Sequence, residues 1–172
     1  MPTVVGLLRG VNVGGRTLPM AELRELVESL GFDDVRTYIQ SGNVLFSAAR
    51  SPKPAVLEEA IEQRFGLAVD VMLRSPAELR RAIERNPFPD AEHSRLHVGF
   101  MAKKPPAKDV AALDEDAFAP ERFAIVGAEL YLHLPNGMGR TKLPDYVLRR
   151  IKVPTTLRNW NTVTKLAELS GA

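Results

Sequence analysis

The chain contains no cysteine, which excludes disulfides, thiolate nucleophiles and cysteine metal sites together. Aromatic residues are sparse at 6%, and Trp160 is the single tryptophan. Histidine is rarer still: His93, His97 and His133 show no metal-ligand spacing with one another or with nearby carboxylates. No nucleophile–histidine–carboxylate set emerges from the residue order, so no reaction is legible and the question of catalysis stays open. No apolar run approaches the roughly 18 residues a membrane helix needs, and no basic region precedes the apolar N-terminal run. A cytoplasmic protein without membrane, metal or cofactor is the expectation. Net charge is also small, +2 in 172 residues. It gives only a faint hint of an anionic partner.

What is present is ordinary globular composition, 45% hydrophobic and 26% charged, which argues against disorder. A chain of this length buries roughly 70% of its unfolded surface, enough for one sizeable core or two small fused ones. Val4-Val5-Gly6-Leu7-Leu8 reads as a strand buried on both faces, because it does not alternate. Pro19 suits a first helical turn, and Leu23, Leu26, Val27 and Leu30 recur at helical spacing until Gly31. Val35–Gln40 alternates as a half-exposed strand, and Ser41-Gly42 turns it into a second strand over Asn43–Ser47. A helix with Leu57, Ala60, Ile61 and Phe65 inward follows Pro54, and Val69–Leu73 is the next strand. Ser75-Pro76-Ala77-Glu78 has capping-box spacing and opens a helix to about Arg85.

Strand, helix, hairpin, helix, strand is the ferredoxin-like βαββαβ order, an antiparallel sheet with two helices on one face. Asn86–Arg95, polar with two prolines, reads as a linker. After it a similar order restarts: a strand at Leu96–Ala102, a short helix at Lys108–Leu113, and a hairpin of Phe123–Val126 with Glu129–Leu134. In that hairpin Leu130, Leu132 and Leu134 share one face, and Tyr131 and His133 the other. Leu143–Ile151 and Thr162–Leu169 read as closing helices. The fold expected is α+β: tandem ferredoxin-like α/β plaits over residues 1–86 and 95–172, joined by 87–94. The second half is degraded, with an extra C-terminal helix.

Arg9-Gly10-Val11-Asn12-Val13-Gly14-Gly15-Arg16 links the first strand to the first helix. Gly14-Gly15 can adopt backbone angles that turn N–H groups inward around an anion, and arginine offers a planar fork for phosphate or carboxylate. On that reading Arg9, Asn12, Gly14, Gly15 and Arg16 bind a ligand. On the plainer one Arg9 is an ion-pair partner, Asn12 a turn residue and the glycines a loop closure. Ser41 and Asn43 are likewise either ligand contacts or simply hairpin residues. A second constellation is basic. From Asn136 to Lys165 stand Arg140, Lys142, Arg149, Arg150, Lys152, Arg158 and Lys165 against Asp145 alone, seven against one. The stretch therefore carries +6 and the remainder −4. Trp160 sits in it between Asn159 and Asn161, where an exposed indole beside Arg158 would stack on a base. A buried tryptophan, an asparagine helix cap and a solvated basic face account for the same residues.

Several motifs fail. Gly137–Lys142 has neither the spacing nor the residue order of a phosphate-binding P-loop, and Arg9–Arg16 lacks the G-x-G-x-x-G spacing of dinucleotide folds. The first strand has no aromatic residue with which an RNA-recognition sheet would stack a base. Three other stretches carry a resemblance: Arg9 to Ser47, the loop Asn136–Leu143, and Thr155–Val163. Together they resemble the signatures of the DUF1697 family, uncharacterised bacterial proteins grouped under a domain-of-unknown-function heading. The resemblance runs nearly end to end and implies the tandem ferredoxin-like fold, but no activity. The glycine loop Arg9–Arg16 of the first stretch and the other two motifs are expected in loops. The leading expectation is a protein that binds a phosphate-containing ligand, a nucleotide or nucleic acid. An enzyme acting on a small anionic metabolite is the alternative, as is an assembly module with no ligand. Monomer and homodimer remain open.

Overall fold

In the computed structural model, which describes all 172 residues, the first strand runs as the apolar pattern requires: β1 spans Thr3–Leu8. There follow α1 (Met20–Ser29), β2 (Asp33–Tyr38), β3 (Asn43–Ser47), α2 (Pro54–Phe65) and β4 (Val71–Arg74). Next come α3 (Pro76–Glu84), β5 (Leu96–Met101), α4 (Ala107–Ala111), β6 (Arg122–Val126) and β7 (Glu129–His133). The chain closes with α5 (Leu143–Ile151), β8 (Thr155–Asn159) and α6 (Trp160–Ser170). Proline opens α2 and sits in the first turn of α5, where its missing N–H costs nothing. Ser75 caps α3 by the reciprocal bonds its spacing predicts. The Glu78 N–H donates to Ser75 Oγ at 3.1 Å, and the Ser75 N–H to Glu78 Oε1 at 3.0 Å.

The architecture is α+β with two four-stranded antiparallel sheets, ordered β2-β3-β1-β4 and β6-β7-β5-β8. By rank within each set the order is the same, second, third, first, fourth. The chain divides into two compact units, Met1–Arg80 with Leu166–Ala172, and Arg81–Lys165. In the first, Leu23, Leu26 and Val27 of α1 and Leu57 and Ile61 of α2 pack with Val4, Leu8, Val44 and Phe46. The other face of this sheet is buried as well: Val5, Leu7, Leu45 and Met72 are at most 1% exposed. In the second unit Leu130, Leu132 and Leu134 share a core with Leu143, Val147 and Ile151 of α5. Tyr131, on the opposite face as its spacing predicts, donates its hydroxyl to the Ala82 carbonyl of α3. Burial raises the Tyr131 pKa, with the Glu129 charge adding to the effect.

Three expectations need correction. The second sheet is not degraded, because Thr155–Asn159 forms its fourth strand, paired with β5 from Thr155↔Met101 to Asn159↔His97. Polar Thr-Thr-Leu-Arg-Asn hides that strand. Both faces are buried for most of its length, so no hydrophobic alternation marks it. The Thr155–Val163 motif therefore lies on a strand and the first turn of α6, not in a loop. That helix also begins at Trp160, earlier than expected, because Asn159 caps it: the Thr162 N–H donates to Asn159 Oδ1 at 2.8 Å.

Candidate functional site

The N-terminal loop is built around Asn12. Its backbone lies at φ +58°, a conformation asparagine tolerates better than most residues. Its side-chain amide donates to the carbonyls of Leu18 at 3.0 Å and Gln40 at 2.6 Å, and Oδ1 accepts from the Leu18 N–H at 2.8 Å. Both amide hydrogens are thus spent on the protein. Arg16 donates from Nε to the Gly10 carbonyl at 3.0 Å and from its guanidinium to the Ala68 carbonyl. Arg9 faces Asp70 at 3.4 Å. Gly14 and Gly15 both take positive φ, +55° and +82°, and are exposed. The two arginines rim a small depression of about 210 Å³ with Gly10, Ala68 and Asp70.

The hairpin turn docks on the same loop. Gly42, at φ +86°, lies so close that an added Cβ would fall 2.6 Å from Val11 Cγ2 and 2.8 Å from Leu8 Cβ. Only glycine fits. Asn43 is fully buried and donates its amide to the Tyr38 carbonyl at 3.0 Å and to Ser41 Oγ at 2.9 Å. Asn43 and Ser41 therefore brace the β2–β3 turn from within, and Asn12 ties that turn to the loop after β1.

The C-terminal basic motif divides in the structure. Arg158 is 6% exposed, and its guanidinium donates to Thr156 Oγ1 at 2.6 Å and the Leu157 carbonyl at 3.0 Å. Burial lowers its pKa to about 10, still a cation at neutral pH. Arg74 of β4 matches it: also buried, it too donates to the carbonyl of the residue before it, Leu73. No motif in the residue order marks that correspondence. Trp160 is 4% exposed, with its ring 5.8 Å from that of His93. The exposed indole that base stacking requires is absent, and Asn159 is the helix cap. Asn161 is exposed on the first turn of α6.

Asn136, Arg140 and Lys142 remain, and they come together. With Gly137 and Thr141 they form one wall of a depression of about 480 Å³, whose other wall is Phe118, Ala119, Pro120 and Glu121. Asn136, Arg140 and Lys142 are all exposed. Gly137 turns the chain at φ +81°, its N–H donating to the Leu134 carbonyl at 2.9 Å. Thr141 Oγ1 donates to Glu121 Oε1 at 2.9 Å and accepts from the Leu143 N–H at 3.2 Å. That one hydroxyl clips the two walls together and caps the start of α5. The cavity lies in the range typical of small-ligand sites. Its lining carries two cations and one carboxylate, and that carboxylate already accepts from a hydroxyl. Glu121 and Phe118 were not anticipated: they meet the glycine loop across about 20 residues of chain, which no local pattern records.

Comparison with known proteins supports the fold and leaves the activity unassigned. A family model described as "Protein of unknown function (DUF1697)" matches residues 1–131. The structure of the conserved bacterial protein SP0830 from Streptococcus pneumoniae is similar at a TM-score of 0.74 and 23% identity. The match covers 100% of this chain and 99% of that one. A search of curated proteins gives no match.

Proposed function

Because the chain belongs to the DUF1697 family, whose description names no activity, we propose a function from its own side chains: it binds a small phosphate-bearing molecule in the Asn136–Lys142 depression. The observation that carries this reading is the contrast between the motifs. Asn12, Arg16, Asn43 and Arg158 are committed to bonds inside the protein, whereas Arg140 and Lys142 present their cations to an open cavity. A phosphate would draw on the guanidinium fork of Arg140 and the point charge of Lys142, with the Asn136 amide orienting it. The apolar side of Phe118 and Pro120 suits the body of a nucleotide or similar metabolite. Single-stranded nucleic acid is the weaker fit, since neither an exposed tryptophan nor an open sheet face supports base stacking. In the same reading the repeated strand order is that of two ferredoxin-like plaits in tandem, and the protein works in the cytoplasm.

Titration calorimetry with inorganic phosphate, AMP, ATP and a short single-stranded oligonucleotide, at low and moderate salt, tests this. Saturable binding of a mononucleotide or phosphate is expected. Arg140→Ala with Lys142→Ala together should weaken it at least about tenfold, on the scale of losing two charge-assisted contacts. Binding that survives the double substitution would reject the site. An oligonucleotide response whose affinity collapses with salt would move the reading to nucleic acid.

A further inference from the structure

The two sheets end on comparable strands, β2 and β6, but the two edges are built differently. β2 carries Asp33, Asp34 and Arg36, and its pairing with β3 is interrupted by a register shift between Asp33 and Arg36. Charge and irregularity of this kind blunt an edge against pairing with another chain. β6 has neither. After Arg122 it reads Phe-Ala-Ile-Val, pairs with β7 without a break, and leaves Ala124, Ile125 and Val126 partly exposed. Its hairpin closes through the two residues Gly127-Ala128, with Gly127 at φ +60°. The pair flanking such a turn is the hydrogen-bonded kind, so Val126–Glu129, Ala124–Tyr131 and Arg122–His133 bond inward. The N–H and C=O groups of Phe123 and Ile125 then point out of the sheet. Beside this edge lies a groove of about 270 Å³, lined by Ala107, Val110 and Ala111 with Ile125 and Gly127, and by Lys104 as its single charge.

We propose that β6 pairs with β6 of a second copy, antiparallel and two-fold symmetric about Ala124. In that register Phe123 of each copy stands opposite Ile125 of the other, and their outward backbone groups satisfy one another in four hydrogen bonds. The charges match as well. Glu121 comes opposite Gly127 of the second copy, on the face where that copy's Lys104 lines the groove, so two Glu121–Lys104 pairs form. Ile125 is covered on the same face. A contact of one five-residue strand and a shallow groove belongs to the small, transient class. The dimer should therefore be concentration-dependent, with a dissociation constant on the order of 100 μM.

Sedimentation velocity from about 10 μM to about 1 mM reads this directly. Wild type should shift from monomer toward dimer. Lys104→Glu, on an exposed side chain, should weaken the dimer about tenfold, and adding Glu121→Lys should restore it. Ile125→Lys should give monomer throughout, with circular dichroism verifying that the variant is folded. Amide exchange at Phe123 and Ile125 should slow as wild-type concentration rises. Wild type monomeric at about 1 mM would overturn the proposal. So would a dimer indifferent to Lys104→Glu and to a folded Ile125→Lys, or one whose exchange protection maps elsewhere. None of these readouts needs phosphate to be bound: Glu121 lines both the depression and the edge, whereas the Lys104→Glu and Ile125→Lys arms leave the depression untouched.

Discussion

At the scale of single residues, the same residue types serve opposite ends. Arginine and asparagine in a glycine loop suggest a ligand site, yet Asn12 gives its amide to Leu18 and Gln40. We expect Asn12→Ala to lower stability by about 2–3 kcal/mol. Two carbonyls and an N–H lose their partner, and alanine pays for the left-handed backbone. Urea unfolding measures it. A variant as stable as wild type but altered in ligand binding would return Asn12 to the functional reading. Counting charge along the chain misleads for a related reason. The +6 of the C-terminal stretch includes Arg158, which a strand folds inward, so linear charge overstates surface charge. Trp160 is the same lesson in an aromatic residue: rarity in the sequence says nothing about exposure.

At the scale of elements, local chemistry was legible where it is self-contained. Pro54 opens α2, Ser75 and Glu78 open α3, and Gly127-Ala128 closes the β6–β7 hairpin, each within a few residues of sequence. β8 was not legible, because a strand of Thr, Arg and Asn buried on both faces announces itself only through its partner, β5. Thr155 and Thr156 after Pro154 were the one available hint, two β-branched residues following a helix break. The wall that Glu121 and Phe118 give the depression was hidden in the same way. It depends on the β6–β7 hairpin returning the chain to its own beginning. The Ser75 cap makes a prediction at this scale. Ser75→Ala should cost about 1 kcal/mol, and Ser75→Asp should recover most of it, read as shifts in the urea midpoint. Equal losses for both would mean that the hydroxyl, rather than a capping oxygen in general, is needed.

At the scale of the whole molecule, the two units share a strand order but not a titration behaviour. All three histidines lie between Arg81 and Lys165. His97 sits on β5 with its Nδ1 buried and without a hydrogen-bond partner, and burial lowers its pKa below the ordinary 6.5. His133 on β7 is lowered too, first by burial and then by Arg122, whose guanidinium lies 3.0 Å from its Nδ1. A lowered histidine pKa means that the folded state holds the ring neutral. Between the folded value and 6.5 the unfolded chain binds more protons, so stability rises with pH there. The contribution is complete above pH 6.5 and is lost as pH falls below it. Acid should therefore loosen the histidine-bearing unit first. Hydrogen exchange compared at pH 7.5 and pH 5.5, corrected for intrinsic rates, should show β5 and β7 losing protection ahead of β1 and β3. His97→Leu should flatten most of that difference, because His133 is the more exposed of the pair and solvent screens its charge. Equal loss in both units, or an unchanged pH response in His97→Leu, would place the acid sensitivity in groups other than the buried imidazole.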